Sequence, residues 1–175
     1  DTLRRASKDE GTLLQIVSAL VLIDVGDNHV VDMEERFRLL NILINAVKNE
    51  ILVLNNSLRD RIDLHSHSYY SDGMYSATGL IFKAWFNGMR AIAVTDHNTF
   101  EHMYEVVKAG QIINKAGYEV FEVIPGIEIS VSDSAYSAHS VDLLSYFPIC
   151  LEIKGRYYVE EFLEWEQKVK STEEV

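Results

Sequence analysis

Cysteine, basic charge and long apolar runs are all scarce in this chain, and each scarcity removes a class of protein. A single cysteine, Cys150, excludes an internal disulfide framework and fits a reducing, cytoplasmic setting. The most apolar run, Leu13 to Ile23, is 11 residues long and carries Gln15 and Ser18. A bilayer span needs about 20 apolar residues, so this run is a core helix, and no membrane partner is expected. No secretory leader is visible. Lysine and arginine number 16 against 27 acids, a net charge of −11 that disfavours a broad nucleic-acid-binding face. Nucleic acid is therefore allowed as a partner but not favoured, since bound divalent cations reverse the sign inside a cleft. Internal repeats and low-complexity tracts are absent.

What remains is an ordinary globular composition, 47% apolar over 175 residues, suited to one domain with an appendage or to a piece of a larger protein. Residues 1–59 read as a helical extension. Leu13, Leu14, Ile16, Val17, Leu20, Val21 and Ile23 form a broad apolar stripe at helical spacing. Turn chemistry at Asp24-Val25-Gly26-Asp27-Asn28 breaks it, and a second helix is expected from Asp32, with Glu34 and Glu35 in its first turn. Leu39, Leu40, Ile42, Leu43, Ala46 and Val47 continue its buried face, and an αα-hairpin is the simplest outcome. The segment Asp24 to Glu35 has the length of an EF-hand loop. Gly26 stands where a ligand is wanted, however, and His29 where a glycine should turn, so a polar connector is the better reading.

From residue 60 to 175 strands and helices alternate. Strands are expected at Arg61–His65, Ala91–Thr95, Glu119–Ile129 (interrupted at Pro125-Gly126) and 138–147. Helices are expected at Ala77–Asn87, Phe100–Lys115 and Val159–Lys170. Such alternation predicts an α/β fold with parallel strands and helices outside.

Chemistry gathers where these strands end, at Asp63-Leu64-His65-Ser66-His67, Thr95-Asp96-His97-Asn98 and Pro125-Gly126-Ile127-Glu128-Ile129-Ser130. His65 and His67 are two apart, so on a strand both rings point to one side and can grip one metal or neighbouring metals. Asp72, in the turn Ser71-Asp72-Gly73, could fold back over them; the alternative is a turn aspartate bonding its own backbone. His97 is a further donor. Asp96 is the candidate catalytic residue, orienting a ring or shuttling a proton, against the alternative of capping the next helix. Glu128 sits between Ile127 and Ile129 in a strand composed for burial, so its carboxylate needs a partner, and a metal pair would supply one, against the alternatives of an arginine partner or a protonated acid. His139 shares a strand face with core residues and becomes a ligand candidate through its company. Neutral nitrogens and anionic oxygens converging from separate strands point to a centre of two or three divalent metals.

At these residues the chain resembles the PHP (polymerase and histidinol phosphatase) family, over roughly residues 60–170. The three motifs match in order and spacing, and His139 follows Glu128 by eleven residues, as a metal-binding histidine does in relatives. The resemblance implies a distorted (β/α)7 barrel, here partial and preceded by the helical hairpin. It also implies two or three ions, commonly zinc, manganese or iron. His65, His67, Asp72, His97, Glu128 and His139 would be ligands, with Glu128 bridging. The implied activity is phosphate-ester hydrolysis by a metal-bridging hydroxide, acting on a small phosphorylated metabolite or a nucleotide. Relatives finish with a further histidine and a late Asp-x-His, and this chain has no histidine after His139. A longer parent, a trimmed product or a reduced fold would each explain that. The competing class is a catalytically incomplete module with a structural or regulatory role, binding a partner through its helical arm. A nuclease would share the metal site but wants a basic groove.

Overall fold

Three layers stack in this molecule: a curled four-stranded sheet, a pair of helices against it, and a second pair outside those. The computed structural model describes residues 10–132, 140–147, 152–153 and 156–157. Helices α1 (Glu10–Leu22) and α2 (Met33–Lys48) come first. Strand β1 (Ile62–Ser66), α3 (Ala77–Phe86), β2 (Ala91–Val94), α4 (Met103–Lys115), β3 (Glu122–Ser132) and β4 (Ser140–Tyr146) follow. Two two-residue strands, β5 (Glu152–Ile153) and β6 (Arg156–Tyr157), pair with each other. Among the described residues no helix is long and apolar enough to cross a membrane. The expected closing helix Val159–Lys170 lies outside the described residues, as does Cys150.

Local chemistry sets the helix ends. Asp32 caps α2 by accepting from the Glu35 amide at 2.8 Å, and Ser76 caps α3 by accepting from that of Gly79 at 2.9 Å. Past α3, Gly88 takes φ +80°, which only glycine adopts without strain.

The sheet order is β1-β2-β3-β4. Strands β1, β2 and β3 are parallel, joined through α3 and α4 as the alternation predicts. The fourth strand departs from that prediction: it pairs antiparallel with β3. A parallel return needs a crossover of a dozen or more residues, and only residues 133–139 separate the two strands. Pro125-Gly126 does not interrupt β3 either. It is where the strand changes partner, residues 122–125 pairing with β2 and 126–132 with β4. A Cβ at Gly126 would meet the Ser145 carbonyl oxygen and Thr95 Cγ2, each at 2.8 Å, so the exchange needs glycine's bare backbone.

The sheet curls. Tyr146 on β4 donates its hydroxyl to the Leu64 carbonyl on β1 at 2.8 Å. Three strand spacings would put these strands about 14 Å apart in a flat sheet, beyond a tyrosine's reach.

One apolar core joins Ile16 and Ile23, Leu40 and Leu43, Ile81 and Trp85, Val106 and Ile113, and Ile92, Val94 and Val123. Helices α3 and α4 touch the strands, while α2 packs on α3 and α4, and α1 on α2. Burial on α1 is narrower than its apolar pattern: Ile16 and Ala19 are buried, as is Ile23 just past its end, while Leu14, Val17 and Val21 face out.

Candidate metal centre

Strand pairing builds the site. The register that pairs Val94 with Pro125 continues past the end of β2, bridging His97 to Glu128. Backbone bonds lock that extension: Asn98 N–H to the Glu128 carbonyl at 2.9 Å and Glu128 N–H to the Asp96 carbonyl at 3.2 Å. Asn98 adopts φ +50°, a region asparagine tolerates, and its side chain accepts from the Ser130 amide at 3.0 Å. On the neighbouring strand, alternation sends His65 and His67 to the same side, with ring centroids 5.1 Å apart. The His67 and His97 rings meet edge to face at 4.5 Å. Gly73 lets the intervening loop fold back, since a Cβ there would stand 2.1 Å from the His67 carbonyl oxygen.

The result is a convergence on one oxygen. Glu128 Oε2 lies 2.8 Å from His65 Nε2, 2.9 Å from His67 Nε2 and 3.6 Å from His97 Nδ1. His67 Nδ1 stands 2.7 Å from Asp72 Oδ1, and the other Asp72 oxygen is 3.9 Å from His97 Nε2. The His67 ring beside it holds the Asp72 carboxyl below its ordinary range. Two donor groups emerge that share His67: His65, His67 and Glu128, and His67, Asp72 and His97. They are the metal-capable groups among the described residues.

These residues fit divalent ions. Ligand atoms about 2.1 Å from a common ion in a tetrahedral shell stand about 3.4 Å apart, and the observed separations run from 2.8 to 3.9 Å. His97 Nδ1 is buried with no hydrogen-bond partner, a state that a cation resolves. Three imidazoles and two carboxylates line the pocket. Asp72, accepting from His67 Nδ1, also fixes the tautomer that turns the Nε2 lone pair inward.

Of the expected site residues, His65, His67, Asp72, His97 and Glu128 meet here. His139 lies outside the described residues. Asp96 joins neither donor group. It is fully buried, and its carboxylate accepts from Ser68 N–H at 2.7 Å, Ser68 Oγ at 2.6 Å and Ser71 Oγ at 2.6 Å. It therefore anchors the loop that carries Asp72. Neighbours on an extended chain face opposite ways, so the adjacency of Asp96 and His97 already carried that signal. His102 packs behind Asp96, held by its other ring nitrogen. Its Nε2 faces the carbonyls of Gly126 at 3.0 Å and Val94 at 3.3 Å, while its Nδ1, 3.2 Å from Asp96 Oδ2, makes no hydrogen bond. Burial pushes its pKa down, against the raising pull of Asp96 and the carbonyls. The Asp24–Glu35 loop gathers no ion site: Asp24 pairs with Lys83, Asp27 accepts from the His29 amide, and Asp32 caps α2.

Comparison with known proteins follows this geometry. A family model for the PHP domain matches residues 63–167. Over 83 residues the chain is 34% identical to a 5'-3' exoribonuclease of Haemophilus influenzae, covering 47% of this chain and 28% of the relative. Over 81 residues it is 33% identical to the 5'-3' exoribonuclease Rnm of Escherichia coli, covering 46% and 26%. The aligned part thus spans under a third of each relative's length. A crystal structure of a candidate metal-dependent phosphoesterase from Bifidobacterium adolescentis superposes with a TM-score of 0.43 at 26% identity, covering 51% of this chain and 28% of that one.

Proposed function

Because the chain belongs to the PHP domain family, we propose that it is the metal-holding part of a divalent-metal-dependent phosphoesterase. The observation that carries this reading is the closure of three imidazoles on Glu128 Oε2, with His97 Nδ1 left unpaired. His65, His67, His97 and Glu128 would hold the cations, joined by Asp72 and, by family resemblance, His139. Zinc, manganese and iron all suit this donor set. Bound there, the cations would supply positive charge against the phosphoryl oxygens and acidify water. Asp72 keeps the His67 lone pair aimed inward. Asp96 has its part at one remove, through the serines of the loop, so of the roles expected of it, orienting a ring or shuttling a proton, we assign it positioning.

Residues 60–175 would then form part of a (β/α)7 barrel and residues 1–59 a hairpin arm packed on it. The expected substrates were a small metabolite or a nucleotide. Relatives named as exoribonucleases shift the balance towards nucleotidyl phosphodiesters, RNA ends included, despite the acidic net charge.

The test is hydrolysis of bis(p-nitrophenyl) phosphate and of a 5'-phosphorylated oligoribonucleotide, with and without Mn2+. Cleavage should require the metal and fall at least about a hundredfold in His65→Ala and Glu128→Ala, beyond what outer-shell changes cost. Cleavage that ignores metal or survives both substitutions overturns the reading. Metal binding without cleavage of either substrate would point instead to the non-catalytic module.

A further inference from the structure

Resting on the metal-centre reading, we infer that Arg36, far from the histidines in sequence, is a positioning residue for the loop that delivers Asp72. Arg36 and Glu105 are both fully buried and meet through two bonds: Nε to Oε1 at 2.9 Å and Nη2 to Oε2 at 2.8 Å. Glu105 then reaches the ligand loop, because the Tyr70 hydroxyl donates to its Oε2 at 3.1 Å. Tyr70 lies between Ser68, which bonds Asp96, and Asp72, which bonds His67. Arg36 also holds its own connector, donating to the carbonyls of Val31 at 2.5 Å and Val25 at 3.3 Å and to Asn28 Oδ1 at 2.6 Å.

That connector is pressed against the same loop at two further points. Gly26 lies beneath Tyr69 so closely that a Cβ would stand 2.1 Å from the Tyr69 Cβ. Ser76, where the loop ends, donates its amide to the Asp24 carbonyl at 3.0 Å and its hydroxyl to the Ile23 carbonyl. Both ends of the loop are thus clamped, one by the strand histidines and Asp96, the other by the α1–α2 connector. The guanidinium is the centre of the second clamp. Its bidentate grip fixes the rotamer of Glu105, and Glu105 fixes the height of Tyr70 above the core. The first two helices therefore help to shape the metal centre while contributing no donor to it.

Cobalt(II) titration of the whole chain, read by its d–d absorption, tests this without activity. Tyr70→Phe keeps the ring and removes one hydroxyl, so the fold should tolerate it. It should weaken Co2+ binding about tenfold and change the band shape, as outer-shell losses do. Arg36→Lys, which cannot make the two-pronged contact, should do at least as much. Because both act through Glu105, the double variant should bind within twofold of the weaker single variant. Parent-like affinity and spectrum in folded Tyr70→Phe overturn the inference, as does strict multiplication of the two effects. If the parent itself takes up no Co2+ that His65→Ala removes, the metal-centre reading has failed, and this inference with it.

Discussion

Two polar clusters sit about one loop apart in this protein, made of similar materials, and they end in opposite states. Around Arg36 and Glu105, every charged atom has a partner. The guanidinium nitrogens reach Glu105, Asn28, Val25 and Val31, and the carboxylate accepts from Arg36, Tyr70 and both the amide and hydroxyl of Thr78. Around Glu128 the opposite holds: three imidazoles crowd one oxygen and a buried ring nitrogen has no partner. Buried groups that satisfy one another hold structure together. Ring nitrogens and carboxylate oxygens that converge on one point are arranged for something that arrives with positive charge. The two clusters therefore differ in how their donors and acceptors converge, more than in residue type or burial.

The sharpest way to break this comparison is to open the closed cluster. Arg36→Met leaves Glu105 buried without its counter-ion, and removing one partner of such a pair costs about 3–5 kcal/mol. Urea denaturation should show that loss, and replacing Glu105 as well should recover much of it. A single-variant loss below about 1 kcal/mol would mean that the Arg36–Glu105 pair does little to hold the fold together.

The open cluster should answer a different perturbation. At about a hundred times its dissociation constant, a divalent ion that binds only the folded state adds about 2.7 kcal/mol. Thermal or urea melts of the parent with Zn2+ or Mn2+ should show that gain, and Glu128→Ala should not. Equal gains in both would place the ion elsewhere.

A third perturbation joins the two regions. Gly26→Ala puts a methyl into the space of Tyr69, and over-packing of this kind costs about 1–3 kcal/mol. The loss should appear in a denaturation curve of the metal-free protein. An unchanged midpoint would show that the connector does not press on the ligand loop.

How much of this was legible beforehand depends on distance along the chain. The first three strands are readable because apolar residues lead into donors in each, most cleanly at Ala91–Val94, and β-alternation puts His65 and His67 together. Glu128 was readable from its flanking isoleucines. The closed cluster was not. Arg36 and Glu105 are 69 residues apart, each on a helix where a charged residue reads as solvent-facing, and Arg36 follows two glutamates at a helix start. Nor was the antiparallel turn of β4, since a strand of 138–147 has no apolar signature of direction. Asp96 stands beside His97 in sequence, but alternation turns the two apart, and its serine partners are not visible from spacing.

The smallest expected effect lies at His102, where the two kinds of cluster touch. Its imidazole is buried, and burial lowers its pKa below the ordinary value of 6.5. A lowered pKa on a base means that the unfolded chain binds the proton more readily, so between the folded value and about 6.5 stability must rise with pH. The contribution is complete above 6.5 and drains away as pH falls towards the folded value. Asp96 and the Val94 and Gly126 carbonyls pull the other way, which keeps the slope shallow. Urea midpoints from pH 7.5 down to 5 should fall more in the parent than in His102→Gln, whose amide can still donate to the Gly126 carbonyl. Identical slopes would mean that His102 takes up its proton as readily folded as unfolded, and that its surroundings are wetter than its burial implies.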